Sequence, residues 1–151
     1  MDAMKLLEED HRKVKGLLEE GDSTTERATT RRTELLEELL TELRIHETIE
    51  EEIFYPALEE HAKTKEIALE GYEEHHAVDN IAEELVALDP SDETWSAKFT
   101  VMKENIEHHI EEEEGEMFKK ARQALDDEEL AEIAETMSAR REQLRAEAGV
   151  A

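Results

Sequence analysis

The chain has 151 residues, of which 43 are acidic and 18 are basic, and its formal net charge at pH 7 is −25. This charge repels the phosphate backbone of nucleic acids, and the absence of cysteine excludes disulfides, iron–sulfur clusters and thiol catalysis. The longest apolar run, residues 53–58, is too short to cross a membrane, so we expect no membrane partner. The amino terminus enters a charged helical pattern without a signal-peptide core, and we expect a cytoplasmic protein.

Glycine, proline and capping residues divide the sequence into predicted helices. The first helix is predicted over residues 2–20, with Gly21 as the glycine just beyond its carboxyl end. The second begins within residues 24–33 and ends one or two residues before Pro56, which stops or kinks it. A short helical turn follows. The remaining helices are predicted over residues 64–88, 94–124 and 128–146.

This series of elements predicts an all-α fold. Residues 1–124 supply four long amphipathic helices with short connections, the pattern of an antiparallel up-down four-helix bundle. No segment alternates with the period of two that is typical of a strand. Residues 125–151 form an additional C-terminal helix, which we expect to pack on the bundle or extend from it.

Each long helix has an apolar stripe that is interrupted by a histidine. Residues three or four apart lie on one helix face, so these histidines point where the leucines point. A glutamate follows two of them by one turn, on the same face. The inward-facing set is His11, His46, Glu50, His75, His109 and Glu113.

The two histidine doublets need a choice between neighbours. His76 and His108 align with polar residues and are predicted to face outward, which leaves His75 and His109 inside. At about 1.5 Å per residue, these two lie about 20 and 22 Å from the connection between their helices, so we expect them to face each other. The same count for His11 cannot be made, because the start of the second helix is uncertain.

The inward-facing groups indicate a metal site. A single histidine on an apolar face is usually a core residue, but four of them with two buried carboxylates need a compensating charge. Six nitrogen and oxygen ligands are too many for one tetrahedral zinc and favour two ions, with Glu50 and Glu113 as possible bridges. Glu47 could add a terminal ligand. The same ligand set suits iron or manganese.

The sequence resembles the hemerythrin-like family of HHE cation-binding domains over roughly residues 1–124. Four segments match in order: Asp10-His11; His46-Glu47-Thr48-Ile49-Glu50 followed by Ile53-Phe54-Tyr55-Pro56; Glu74-His75-His76; and His108-His109 followed by residues 110–118. The resemblance implies a non-haem di-iron centre, usually oxo- or hydroxo-bridged. It implies that the four inward histidines are terminal ligands and that Glu50 and Glu113 bridge the irons.

The chain departs from the oxygen-carrying hemerythrins at two positions. Asp79 stands where their third helix has a second histidine. Their carboxylate lies five residues after the histidine of the fourth helix, which would select Glu114, whereas the helix face favours Glu113 and turns Glu114 outward. These departures leave open whether Asp79 or Glu114 joins the site.

Two further interpretations concern a different ligand set and a nearby tyrosine. A ferritin-like di-iron site could use Glu8-x-x-His11 and Glu73-x-x-His76, but it requires His76 to face inward. Tyr72 lies one turn before His75 and could donate a hydrogen bond into the site, or it could be a boundary residue with a solvated hydroxyl.

The resemblance implies a carrier or sensor that interacts with O2, NO or a related small ligand. The alternatives are a peroxide-detoxifying di-iron enzyme and an iron-handling protein without catalysis. The sequence identifies no separate catalytic residue, and it does not distinguish a monomer from a small homo-oligomer.

Overall fold

A computed structural model describes residues 2–150, and all regular structure within this range is helical. The predicted bundle began at Met1 and the predicted C-terminal region ended at Ala151, and these two residues lie outside the described range. The predicted all-α fold is confirmed. In chain order the elements are α1 (Ala3–Asp22), α2 (Thr29–Ile49), the π-helical turn π1 (Glu50–Phe54), α3 (Tyr55–Glu59), α4 (Ala62–Ala87), α5 (Trp95–Glu112), the π-helical turn π2 (Glu113–Met117), α6 (Phe118–Ala124) and α7 (Asp127–Glu147).

The first helix ends later than predicted, because Gly21 is not its capping glycine. Gly21 lies inside α1, and Ser23 caps the helix by donating its backbone N–H to carbonyls of the last turn. A side chain at Gly21 would collide with the rings and methyl groups of Phe99 and Leu35. The glycine is therefore needed for close packing between helices and not for a turn.

Pro56 does not stop the second helical segment, which was one of the two outcomes, a stop or a kink, that the sequence predicted. The chain remains helical to Glu59 because π1 changes the hydrogen-bond register just before the proline. In this turn the N–H of Tyr55 donates to the carbonyl of Glu50, five residues earlier. Pro56 then occupies the first turn of α3, where a missing N–H is tolerated. The π2 turn interrupts the fourth segment in the same way, between α5 and α6.

The apolar core has two parts, and in α1, α2 and α4 the inward histidine lies between them in sequence. One cluster includes Met4 and Phe54, and the other includes Leu18 and Phe99. Within α1, His11 follows the last member of the first cluster and precedes the first member of the second. The polar residues thus form a layer across the middle of the bundle.

A buried arginine closes one end of the bundle. The Arg32 guanidinium lies 4.1 Å from the centre of the Trp95 ring and donates to the carbonyl oxygen of Pro90 and the hydroxyls of Thr24 and Ser96. Arg32 is 1% exposed. Arg32 was not predicted, because an arginine within a polar helix start gives no periodic signal.

The C-terminal helix α7 packs along the bundle through Leu130, Ala134 and Met137, which join the first core cluster. Its start is fixed by a capping box between Asp126 and Glu129, each side chain accepting from the other's backbone N–H. Within residues 2–150, no helix is both long and apolar enough to cross a membrane.

Candidate metal centre

The four predicted inward histidines are buried and form two ring pairs. The ring centres of His11 and His46 are 4.9 Å apart, and those of His75 and His109 are also 4.9 Å apart. The predicted facing of His75 and His109 across the bundle is confirmed. The helices thus bring four imidazoles from four segments into one layer.

The Nε2 atoms of these histidines point toward Glu50 and Glu113, which are fully buried. His11 Nε2 lies 3.0 Å from Glu113 Oε1, and His109 Nε2 lies 3.1 Å from Glu113 Oε2. His46 Nε2 and His75 Nε2 lie 3.1 and 3.2 Å from Glu50 Oε1. Two compact groups result, each with two imidazoles and one carboxylate: His11, His46 and Glu113, and Glu50, His75 and His109.

Both buried glutamates begin a π turn. Glu50 is the first residue of π1, and Glu113 is the first residue of π2. A π turn inserts an extra residue into an α-helix and often occurs at functional sites. Here the carbonyl of each glutamate accepts from an N–H five residues later, so the backbone is widened where the carboxylate enters the core.

Two atoms of the site lack hydrogen-bond partners among the described residues. They are His46 Nε2 and Glu50 Oε2, both buried. His46 Nε2 is close to Glu50 Oε1 but without hydrogen-bonding geometry. Buried polar atoms are normally satisfied, so an unsatisfied imidazole nitrogen beside a carboxylate that has an unsatisfied oxygen fits a cation-binding site.

The charges of the site are strongly coupled. Burial alone raises the pKa of Glu113, but hydrogen bonds with Glu50 and the nearby His109 outweigh it and hold this pKa well below its usual range. Burial lowers the pKa of His46, but the charge of Glu50 and a hydrogen bond with Asp10 raise it well above normal. In the metal-free protein, protonated histidines therefore supply the positive charge that the carboxylates need.

A carboxylate outside the two groups holds the Nδ1 atom of every inward histidine. The distances to Nδ1 are 2.6 Å for Glu114 and His11, 2.9 Å for Asp10 and His46, 2.7 Å for Glu51 and His75, and 2.9 Å for Glu74 and His109. A carboxylate at Nδ1 keeps the proton there and leaves Nε2 free as a ligand. All four rings are therefore oriented for metal binding.

The role of these outer carboxylates was not predicted, and the sequence had left open whether Glu114 joins the site. Glu114 is partly exposed, but its Oε2 turns back to His11 Nδ1. A sequence signal existed, because each outer carboxylate is next in sequence to an inward residue: Asp10 precedes His11, and Glu51 follows Glu50. Helical periodicity assigns such neighbours to another face, and it cannot show that a side chain from a neighbouring helix reaches them.

Tyr55 was also missed. Its hydroxyl donates to Glu113 Oε2 at 2.8 Å and lies 3.3 and 3.5 Å from the Nε2 atoms of His109 and His75. The sequence had placed Tyr55 only next to the predicted helix end before Pro56, and it had offered Tyr72 either as a donor into the site or as a boundary residue. Tyr72 instead has its hydroxyl 3.4 Å from the carbonyl of Glu51.

Glu47 and Asp79 lie beside the two groups. Glu47 Oε2 is 3.9 Å from Nδ1 of His75, on the side away from Glu50. Burial, reinforced by Asp79, raises the pKa of Glu47 to about 8. Glu47 therefore borders the centre, and its role as a terminal ligand stays a prediction.

The ferritin-like interpretation fails on its histidine. The side chain of His76 is 66% exposed and that of Glu73 is 80% exposed, so neither reaches the core. His108 is exposed to a similar degree. Both doublets thus point their predicted member inward.

A small cavity borders the two groups. Its volume is about 20 Å³, which is enough for one water or diatomic molecule. The inward histidines and Glu47 form part of its wall. The rest is apolar: Val14, Leu43, Val78, Ile106 and Ile110.

Comparisons with known proteins agree with this geometry. The family model described as "Hemerythrin HHE cation binding domain" matches residues 2–121. The uncharacterized proteins Rv2633c of Mycobacterium tuberculosis and Mb2666c of Mycobacterium bovis are each 32% identical to the chain, over 96% of its length and 88% of theirs. A crystal structure described as a hemerythrin HHE cation binding domain-containing protein, the Rv2633c homolog from Mycobacterium kansasii, is similar with a TM-score of 0.87 and 31% identity. The structural similarity covers 98% of this chain and 90% of the chain from Mycobacterium kansasii. The chain therefore belongs to the hemerythrin HHE cation-binding domain family.

Proposed function

We propose that this protein binds two non-haem iron ions and uses them to interact with O2, NO or a related small ligand, as a carrier or sensor. His11, His46 and Glu113 would hold one ion, and Glu50, His75 and His109 would hold the other. The observation that carries the proposal is the presence of two buried groups whose Nε2 atoms all face two carboxylates.

The donor set supports two ions of intermediate hardness. Imidazole nitrogen and carboxylate oxygen together suit iron, and manganese is the alternative metal. Each carboxylate has two oxygens. Glu113 Oε1 faces His11 and Glu113 Oε2 faces His109, so this side chain reaches both groups. Glu50 Oε1 likewise faces His46 and His75, which supports bridging by both glutamates.

The small cavity supports a small ligand. The apolar part of its wall favours an uncharged ligand over a charged one, and its volume fits a diatomic molecule better than an organic substrate. When bound, the iron pair would supply redox-active metal ions with open coordination positions for the ligand. The protein itself orients the four rings, excludes bulk water and limits the size of what enters.

One observation favours a second candidate, a peroxide-consuming activity. The Tyr55 hydroxyl lies within hydrogen-bonding reach of Glu113 and beside two Nε2 atoms, so a proton donor is already present inside the centre. General acid–base chemistry requires such a group within about 3 Å of the reacting atoms. Tyr55→Phe should separate the two candidates, because it removes the proton donor and leaves the ring.

Elemental analysis of the purified protein, with optical spectra before and after dithionite, tests the proposal. We expect about two irons per chain and an absorption band that changes on reduction. Glu50→Ala and Glu113→Ala should each lose most of both metals, since each removes a ligand from both groups. His76→Ala is the matched control and should keep both metals, because His76 lies on the surface.

Three results would contradict the proposal. They are one ion per chain, retention of both metals in Glu50→Ala, or a spectrum that does not respond to reduction or to added NO. Glu47→Ala is expected to affect one ion only. Turnover of hydrogen peroxide that is lost in Tyr55→Phe, while metal content and NO binding are kept, would establish the second candidate.

A further inference from the structure

Three arginines of α7 pair with acidic residues of the bundle. Their partners lie in α1, α2 and π1, so α7 is joined to three different segments. The pairs are Arg140 with Glu52, Arg141 with Asp10, and Arg145 with Glu42. Two of these pairs only hold elements together, but the pair of Arg141 leads into the metal centre.

Arg141 connects to His46 through a single carboxylate. Its Nη1 donates to Asp10 Oδ1 at 2.9 Å, and Asp10 Oδ2 lies 2.9 Å from His46 Nδ1. One oxygen of Asp10 is therefore held by the arginine, and the other is turned to the imidazole. The side chains of Arg141, Asp10 and His46 are 20%, 15% and 6% exposed, in that order. This series of contacts therefore runs from the edge of the protein into its core.

Asp10 differs from the other outer carboxylates. Glu51, Glu74 and Glu114 are 35%, 25% and 34% exposed, and water reaches them more easily. Asp10 has the shortest side chain of the four and the least exposure, and it accepts a hydrogen bond from Arg141. A charge-assisted hydrogen bond from a guanidinium fixes the plane of a carboxylate better than water does.

We propose that Arg141 is a positioning residue of the metal centre, acting through Asp10 to orient His46. This inference rests on the proposed metal pair. It concerns only the ion between His11, His46 and Glu113, because no other inward histidine is held by Asp10. Arg141 lies beyond residue 121, where the match to the family model ends, so the C-terminal helix supplies part of the site's support.

The competing explanation is that Arg141 only fastens α7 to α1. Arg141 Nη2 is also 3.8 Å from Glu9 Oε2, which is a surface ion pair of that kind. Arg140 offers the matched control. It is the preceding residue of the same helix and makes two bonds to Glu52, without contact to a histidine. A structural role predicts similar effects for both arginines.

The experiment compares Arg141→Gln, Arg141→Lys and Arg140→Gln in the full-length protein. Outer partners of metal-binding histidines typically change metal affinity about 10- to 100-fold, and Arg141 is one step further away. For Arg141→Gln we therefore expect one of the two irons to leave about 3- to 10-fold faster in excess chelator, with the second iron unaffected. Arg141→Lys should restore part of the difference, and Arg140→Gln should match wild type.

A second measurement does not depend on iron. In the metal-free protein, nitrogen-15 NMR should show a hydrogen-bonded Nδ1 proton on His46, and its resonance should shift in Arg141→Gln but not in Arg140→Gln. Equal chelation rates for Arg141→Gln and wild type, with an unchanged His46 resonance, would overturn the inference. The inference would also be overturned if Arg141→Gln and Arg140→Gln had equal effects on iron release, on the His46 resonance and on the thermal unfolding of α7. If wild type binds no metal, the proposed function fails on elemental analysis, and the NMR comparison still decides whether Arg141 orients His46.

Discussion

Gly71 leaves the space that the Tyr55 phenol occupies. A Cβ atom built at Gly71 would lie 2.7 Å from Tyr55 Cζ and 2.8 Å from its hydroxyl oxygen. Ordinary contacts begin at 3.4 Å, so Gly71→Ala requires a movement of about 0.7 Å. The ring is fully buried and its hydroxyl donates to Glu113, so a movement of this size strains that hydrogen bond.

The expected change in stability combines one favourable contribution and two unfavourable ones. Alanine in a helix interior is more stable than glycine by roughly 0.5–1 kcal/mol. Overpacking in a rigid core costs about 1–3 kcal/mol, and the strained Tyr55 hydrogen bond costs about 1 kcal/mol more. Gly71→Ala should therefore destabilise the protein by about 1–3 kcal/mol.

Gly16→Ala provides the control in urea denaturation. A Cβ at Gly16 meets nothing within 4 Å, so this variant should gain the helix term alone and become more stable. In Gly71→Ala, the optical spectrum of the metal-loaded protein should also change, because Tyr55 touches the centre. Equal stabilisation by the two substitutions, with an unchanged spectrum, would show that Tyr55 is not confined by Gly71 and would refute the reasoning.

Two further predictions concern charge. Hydrogen bonds with Glu50 and Glu51 outweigh burial and raise the pKa of His75 to about 9, so the stability due to its proton is complete below about pH 6.5 and is lost as the pH rises through 9. Metal-free protein should therefore melt at lower temperature at pH 9 than at pH 6.5. The melting temperature of the metal-loaded protein should instead rise with pH over the acidic part of this range, because protons compete with metal for the histidines. If both forms showed the same pH trend, proton–metal exchange at these rings would be contradicted. Arg32→Lys keeps the charge but cannot reach the separated acceptors beside Trp95, and it should cost about 2–4 kcal/mol in urea unfolding. Arg31→Lys, at an exposed pair, should cost much less, and equal losses would show that the end of the bundle tolerates a lysine.

The fold and the inner residues of the site could be predicted because both follow from helical periodicity. His11, His46, His75 and His109 share faces with leucines, and the structure buries all four. The choice of His75 over His76 depended only on which neighbours were polar, and this is information within one helix. Such information is complete in the sequence.

The remaining features depend on contacts between helices. Gly21 looked like a helix cap because its need for space comes from Phe99, which is far away in the chain. Tyr55 looked like a residue at a helix end, since the π turn that keeps the helix continuous through Pro56 has no clear sequence signature. Asp10 was given no role and Glu114 was turned outward, because their partners lie on other helices.

The outer carboxylates link the four helical segments into a closed ring. Asp10 of α1 holds the histidine of α2, and Glu51, in the segment of α2, holds the histidine of α4. Glu74 of α4 holds the histidine of α5, and Glu114, in the segment of α5, returns to the histidine of α1. In each segment the outer carboxylate is next in sequence to an inward residue. If a helix were rotated about its axis by one residue, about 100°, the outer carboxylate would take the place of the inward residue. An insertion or deletion before any of these pairs would therefore damage two positions on two helices at once, and a single substitution could not repair it.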